Sequence, residues 1–132
     1  MKQRIYLDDV RTPVGDGWTI VRNYDQFIST IQYIGLENIE LISLDHDLGD
    51  SAMKEWHYGV TKNYAINYDN ITEKTGMDCT KWLVEYCIEN NKPLPLYNIQ
   101  SANTVGKENI DSYLKSFLKA AITHSLYLFI LI

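Results

Sequence analysis

The chain has 132 residues, a formal net charge of −5 and a hydrophobic fraction of 45%, which fits one domain, 1–132, with a single core. That acidity argues against broad binding to duplex DNA, which needs clustered Lys and Arg, but leaves room for a small anionic ligand at a locally positive site. The start, MKQRIYLDD, has no apolar signal region, and the terminal Ser125–Ile132 run falls far short of the about 20 residues a membrane span needs, so a cytoplasmic protein without a membrane partner is expected.

Arg4–Leu7 reads as a short buried strand that ends in Asp8-Asp9. Val10–Gly17 contains Pro13, Gly15 and Gly17 and reads as a loop, and Trp18–Arg22 reads as a second strand. Asn23 or Asp25 can cap a helix to about Ile34, with Phe27, Ile28, Ile31 and Ile34 on one face and Gly35 closing it. Glu40–Leu44 is the third strand. An irregular, aromatic insertion follows over about 50–75, holding Trp56, His57, Tyr58, Tyr64 and Tyr68, a length that in a compact domain points to function or disorder. A helix is expected from Gly76 or Asp78 to near Asn90, a fourth strand at Leu96–Ile99, and a last helix from Thr104 to about Ala121. Tyr127–Ile132 reads as a fifth strand. Cys79 and Cys87 lie eight apart in one helix, about 12 Å at 1.5 Å per residue, too far for a mutual disulfide; buried free thiols are expected. Alternating strands and helices imply an α/β fold with a mostly parallel sheet of four to five strands and helices on both faces, three layers in all.

The chemistry gathers at strand ends. In open parallel sheets the carboxyl edge of the strands is where ligands bind, and here Asp8 and Asp9 close the first strand while Asp45-His46-Asp47 closes the third. If those strands are neighbours, Asp8, Asp9 and Asp45 converge, and hard carboxylate oxygens in that arrangement suit Mg²⁺. The plainer reading of Asp8 and Asp9 is as loop caps. His46 is placed to move a proton near neutral pH, with Asp47 beside it, or else points away and bonds to backbone. Ser101 and Asn103 follow the fourth strand, where they can hold phosphate oxygens or simply cap the next helix, whose N-terminus itself favours anions. Lys107 adds a positive charge in that first turn. Arg11 is a candidate phosphate clamp, because its planar fork matches phosphate, or else an ordinary surface arginine.

An acidic pair after the first strand, an Asp after the third and a Ser after the fourth resemble the receiver-domain superfamily, a flavodoxin-like fold. More specifically, Leu7–Pro13 (LDD-x-R-x-P), Ser43–Gly49 (SLDHDLG) and Ser101–Gly106 (Ser-x-Asn-x-x-Gly) resemble the cyclic-phosphate processing receiver domains of phages and bacteria. That resemblance implies Mg²⁺ on Asp8, Asp9 and Asp45 and activity toward cyclic-phosphate nucleotides or RNA ends. The chain departs from the receiver pattern in three places. The first receiver helix is replaced by a loop, no Lys follows Ala121, and Gln100 stands where the family often has His.

The leading expectation is therefore a metal-dependent phosphodiesterase acting on a cyclic-phosphate nucleotide. Asp45, His46 and Asp47 would do the chemistry, and Arg11, Ser101, Asn103 and Lys107 would hold phosphate. The alternatives are a module that binds a nucleotide or a protein without cleaving anything, and a signalling receiver phosphorylated on Asp45. The sequence leaves the nucleotide and a homo-oligomeric state open.

Overall fold

The computed structural model describes residues 2–48 and 74–131, with side chains as far as Ile122. Four strands, β1 (Gln3–Leu7), β2 (Trp18–Val21), β3 (Ile39–Leu44) and β4 (Leu96–Ile99), form one sheet in the order β2-β1-β3-β4. All three pairings are parallel. This order makes the ends of β1 and β3 neighbours, so the two acidic motifs meet at one edge.

Side chains alternate across a strand, and the register shows which residues share a face. Ile5 pairs with Ile42, Leu7 with Val21 and Leu44 with Ile99. These apolar residues meet Phe27 and Ile31 of α1 (Tyr24–Ile34), Cys79, Leu83 and Val84 of α2 (Gly76–Glu89), and Ile110 and Leu114 of α3 (Thr104–Leu131) in one core. Burying each such aliphatic or aromatic side chain is worth about 1.5–3 kcal/mol, more than the roughly 1 kcal/mol of a helix cap. The core thus decides that the helices dock, and the caps decide where they begin. The Asn23 side chain accepts from Gln26 N at 2.9 Å to start α1. Thr75 and Asp78 form a reciprocal capping box that starts α2. Gly35, at φ +88°, turns the chain out of α1.

The opposite face carries Arg4, Tyr6, Trp18, Ile20, Leu41 and Leu96 by the same register. The helical layer expected there is not among the described residues, whose three helices share the other face. The β1–β2 connection has no helix, as expected. Its end is pinned by Arg4, which lies 4.7 Å over the Trp18 ring and donates to Asp16 O at 2.6 Å.

One expectation is corrected. Tyr127–Ile132 was expected as a fifth strand after a helix ending near Ala121, but α3 runs unbroken from Thr104 to Leu131. A run of Leu, Ile, Phe and Tyr suits either state, and no Gly or Pro follows Gly106 to stop a helix. Among the described residues the sheet therefore has four strands, with β2 and β4 at its edges. Both cysteines are buried free thiols, and burial pushes the Cys87 thiol up to about 11. No helix among the described residues is long and apolar enough to cross a membrane. The irregular aromatic insertion expected over about 50–75, with Trp56, His57, Tyr58, Tyr64 and Tyr68, lies outside the described residues as far as 73.

Candidate phosphate and metal site

The site lies at the carboxyl edge of β1, β3 and β4 and has two corners. At the acidic corner, Asp8, Asp9 and Asp45 each offer a carboxylate oxygen within 4.8 Å of the others. Asp8 is fully buried, and its charge is met by Val10 N at 3.0 Å, Arg11 N at 2.7 Å and Arg11 Nε at 2.7 Å. The same guanidinium donates through Nη2 to Gln100 O at 2.9 Å and stands 3.7 Å from Asp45 Oδ1. Arg11 therefore ties the ends of β1, β3 and β4 together, and its side chain is still 47% exposed.

Asp45 accepts from His46 N at 2.9 Å and from the Ser101 hydroxyl. These bonds do not compensate for its setting. Burial and the neighbouring Asp8 charge push the Asp45 carboxyl up to about 6, against the lowering pull of Ser101 and Arg11. A buried carboxylate held beside another carboxylate has unmet demand for positive charge.

At the histidine corner, His46 Nδ1 lies 2.8 Å from Asp47 Oδ1, and Asn103 Nδ2 donates to the same oxygen at 3.2 Å. The His46 bond, and then the Asn103 bond, hold the Asp47 carboxyl below the usual carboxylate range. An ionised carboxylate only accepts, so Nδ1 carries the hydrogen of this bond, which in a neutral ring leaves the lone pair on Nε2.

Two glycines press helix starts against this edge. A Cβ on Gly76 would lie 1.6 Å from Asp45 O, and Gly76 N donates to His46 O at 2.7 Å. A Cβ on Gly106 would lie 2.4 Å from His46 Cγ. Only a bare Cα permits either approach, so the starts of α2 and α3 form the seat on which the Asp45-His46 turn rests.

Over residues 3–116 the chain matches the family model of the cyclic-phosphate processing receiver domain. It belongs to that family. No curated protein and no solved structure matches it.

The donor set suits the hard divalent cation that a receiver's acidic cluster would bind. It is all carboxylate, which favours Mg²⁺ or Ca²⁺ over softer metals. Gln100 adds a further mark of fit. Its Nε2 donates to Leu7 O at 2.6 Å, while its Oε1 is buried with no partner among the described residues, an acceptor at this edge for a water.

Of the residues singled out from the sequence, Asp8, Asp9, Asp45, Arg11 and Ser101 come together at the acidic corner. Asp47, His46 and Asn103 come together at the other. His46 bonds to Asp47 rather than to backbone. Lys107 is exposed in the first turn of α3 and lines a neighbouring cleft. Sequence reasoning passed over Arg22, whose Nη1 donates to Asp8 O at 3.1 Å and Arg11 O at 2.5 Å, propping the loop that carries Arg11. It named Gly106 only as a letter of the Ser101–Gly106 motif and Gly76 only as a helix start, and missed how closely both pack on the Asp45-His46 turn. The available signal was glycine in the first turn of two helices, where it costs helix stability and so calls for a reason.

Proposed function

We propose that the chain is a metal-dependent phosphodiesterase that opens a cyclic-phosphate nucleotide to a linear monophosphate. The reading is carried by one juxtaposition: three carboxylates that can share a cation, and a carboxylate-oriented imidazole at the same strand end. Asp8, Asp9 and Asp45 would hold Mg²⁺, which when bound supplies a Lewis acid to phosphoryl oxygens. Arg11, on the exposed side of the acidic corner, holds a phosphate oxygen through its fork, and Ser101 and Asn103 line the approach. His46 Nε2 takes the proton that the attacking water loses. The new P–O bond forms, the ring P–O bond breaks, and the departing ribose oxygen is protonated, so one water is consumed. Asp47 keeps the imidazole in the accepting tautomer.

The test incubates the protein with a panel of nucleoside cyclic phosphates and Mg²⁺ and chromatographs the mixture after denaturation. A linear monophosphate, absent with Asp45→Asn and His46→Gln, supports the hydrolase. Release of intact ligand indicates a protein that sequesters rather than cleaves. Acetyl phosphate with Mg²⁺ followed by intact mass tests the third reading, since a phosphoryl adduct would make Asp45 an acceptor.

A further inference from the structure

Beside the site, an open cleft of about 590 Å³ runs between β4 and the first turns of α3, lined by Tyr97, Ile99, Lys107, Glu108 and Asp111 among others. Its volume lies within the range of small-ligand sites, about 300–1,000 Å³. Among the described strands β4 lies at one edge of the sheet. Gln100 N donates to Leu44 O at 2.9 Å, so by strand alternation Gln100 and Asn98 turn their main-chain groups toward β3. Those of Tyr97 and Ile99, which line the cleft, turn away from β3.

The polar groups of the cleft sort by charge. Lys107 is its cation and lies in the turn that begins next to Asn103, the residue bonded to Asp47. Two carboxylates follow Lys107 on α3, Glu108 directly and Asp111 one turn later. Asp111 is paired with Lys115 at 2.7 Å, and Glu108 is exposed. Carboxylates repel a phosphate, so this end of the cleft does not suit the anionic part of a nucleotide. They do suit a neutral group that presents N–H donors, because a carboxylate only accepts.

We propose that this cleft is the base subsite for the nucleotide whose phosphate sits at the acidic corner, and that Glu108 makes it select guanine. The proposal rests on the phosphate-processing reading and specifies its substrate. Guanine presents two adjacent donors, N1–H and the N2 amino group, which a carboxylate can accept together. Uracil offers one N–H between two carbonyl oxygens, which a carboxylate repels. The outward main-chain groups of β4 and the Tyr97 ring supply the rest of the wall. The cleft meets the site where Thr104 and Lys107 of its lining follow Asn103, which bonds Asp47 at the end of β3.

The test is isothermal titration with guanosine and uridine 3′-monophosphates in Mg²⁺, on the wild type and on Glu108→Gln. Glu108 is a surface residue, and circular dichroism checks that the variant folds. The wild type should bind the guanosine nucleotide at least ten-fold more tightly. Glu108→Gln should bring the ratio toward one by weakening guanosine binding and leaving uridine binding unchanged. Equal affinities in the wild type, or a preference that survives Glu108→Gln, overturn the base subsite while leaving the phosphate site standing. Failure of both nucleotides and of inorganic phosphate to bind removes the phosphate reading and this one with it.

Discussion

Two aspartates stand two residues apart at the end of β3, and the fold gives them opposite electrostatic settings. Asp45 is turned toward the acidic corner, buried beside Asp8, and its carboxyl is pushed up to about 6. Asp47 is turned toward the histidine corner, accepts from His46 and Asn103, and is held below the ordinary range. One carboxylate lacks positive charge and the other has its partners. On the proposed reading the difference divides the labour: Asp45 would take the cation, whereas Asp47 orients the His46 ring. A motif that looks symmetrical in sequence, Asp-His-Asp, is two half-sites back to back.

The strongest way to break this division is Asp45→Asn. Without the central carboxylate, Mg²⁺ affinity should fall by at least about 1,000-fold, since affinity for a hard cation follows the charge of its ligands. The metal-free protein should respond in the opposite sense. A shift from the usual 3.8 to about 6 means the folded state holds a proton the unfolded chain has lost. Stability therefore falls as pH rises from about 4 to about 6 and stays low above that. The full penalty is about 3 kcal/mol at about 1.4 kcal/mol per unit. With EDTA present, Asp45→Asn should flatten that fall and unfold in urea about 1–3 kcal/mol later at pH 7.5. A variant that is no more stable than wild type at pH 7.5 would mean Asp45 is not strained by its neighbour. Saturating Mg²⁺ should stabilise the wild type by about 2.7 kcal/mol at 100 times its Kd and leave the variant unmoved.

Gly106→Ala attacks the other corner. The added methyl carbon would sit 2.4 Å from His46 Cγ, so the ring must leave its seat. Turnover of a cyclic nucleotide should drop about 100-fold, the scale of a lost general base, while Mg²⁺ affinity stays within about three-fold of wild type. Loss of both together would show that the corners are one unit. Asp47→Asn is milder, because an amide oxygen can still accept from Nδ1 in the same place. It removes the charge and keeps the orientation, so turnover should fall about ten-fold. The stability this pair contributes is present above the ordinary carboxylate range and lost as pH falls through the lowered Asp47 value. The variant should lack that acid-side loss in a pH series of urea melts.

How much of this division was legible in the sequence follows from what each part depends on. The convergence of Asp8, Asp9 and Asp45 needs β1 and β3 to be neighbours, whereas the four strands and the loop in place of a first helix rest on local patterns: apolar runs that stop in acid, and a cap such as Asn23. Those patterns act over a few residues and can be read directly. The opposite settings of Asp45 and Asp47 depend on which way each side chain points and on what packs there from far along the chain. Gly76 and Gly106 contribute only by having no side chain, which leaves no letter pattern at residues 45–47. The end of α3 was misread for a related reason. An apolar run without Gly or Pro is helix or strand according to its surroundings, not its composition.

The smallest effect tests whether the acidic corner already holds a stand-in cation. Arg11 is that cation, 2.7 Å from Asp8 and 3.7 Å from Asp45. A bound metal would compete with its charge, yet a phosphate would need it. Arg11→Met should therefore move the two affinities in opposite directions. The guanidinium is about half exposed, so its repulsion on a metal ion is screened to roughly 1 kcal/mol. Titration should show Mg²⁺ binding about three- to ten-fold more tightly to the variant, and inorganic phosphate binding more weakly by a similar factor. If both affinities fell together, Arg11 would be shaping the corner through its bonds to Asp8 and Gln100 O rather than through its charge. The acidic corner would then depend on its loop as closely as the histidine corner depends on its glycine.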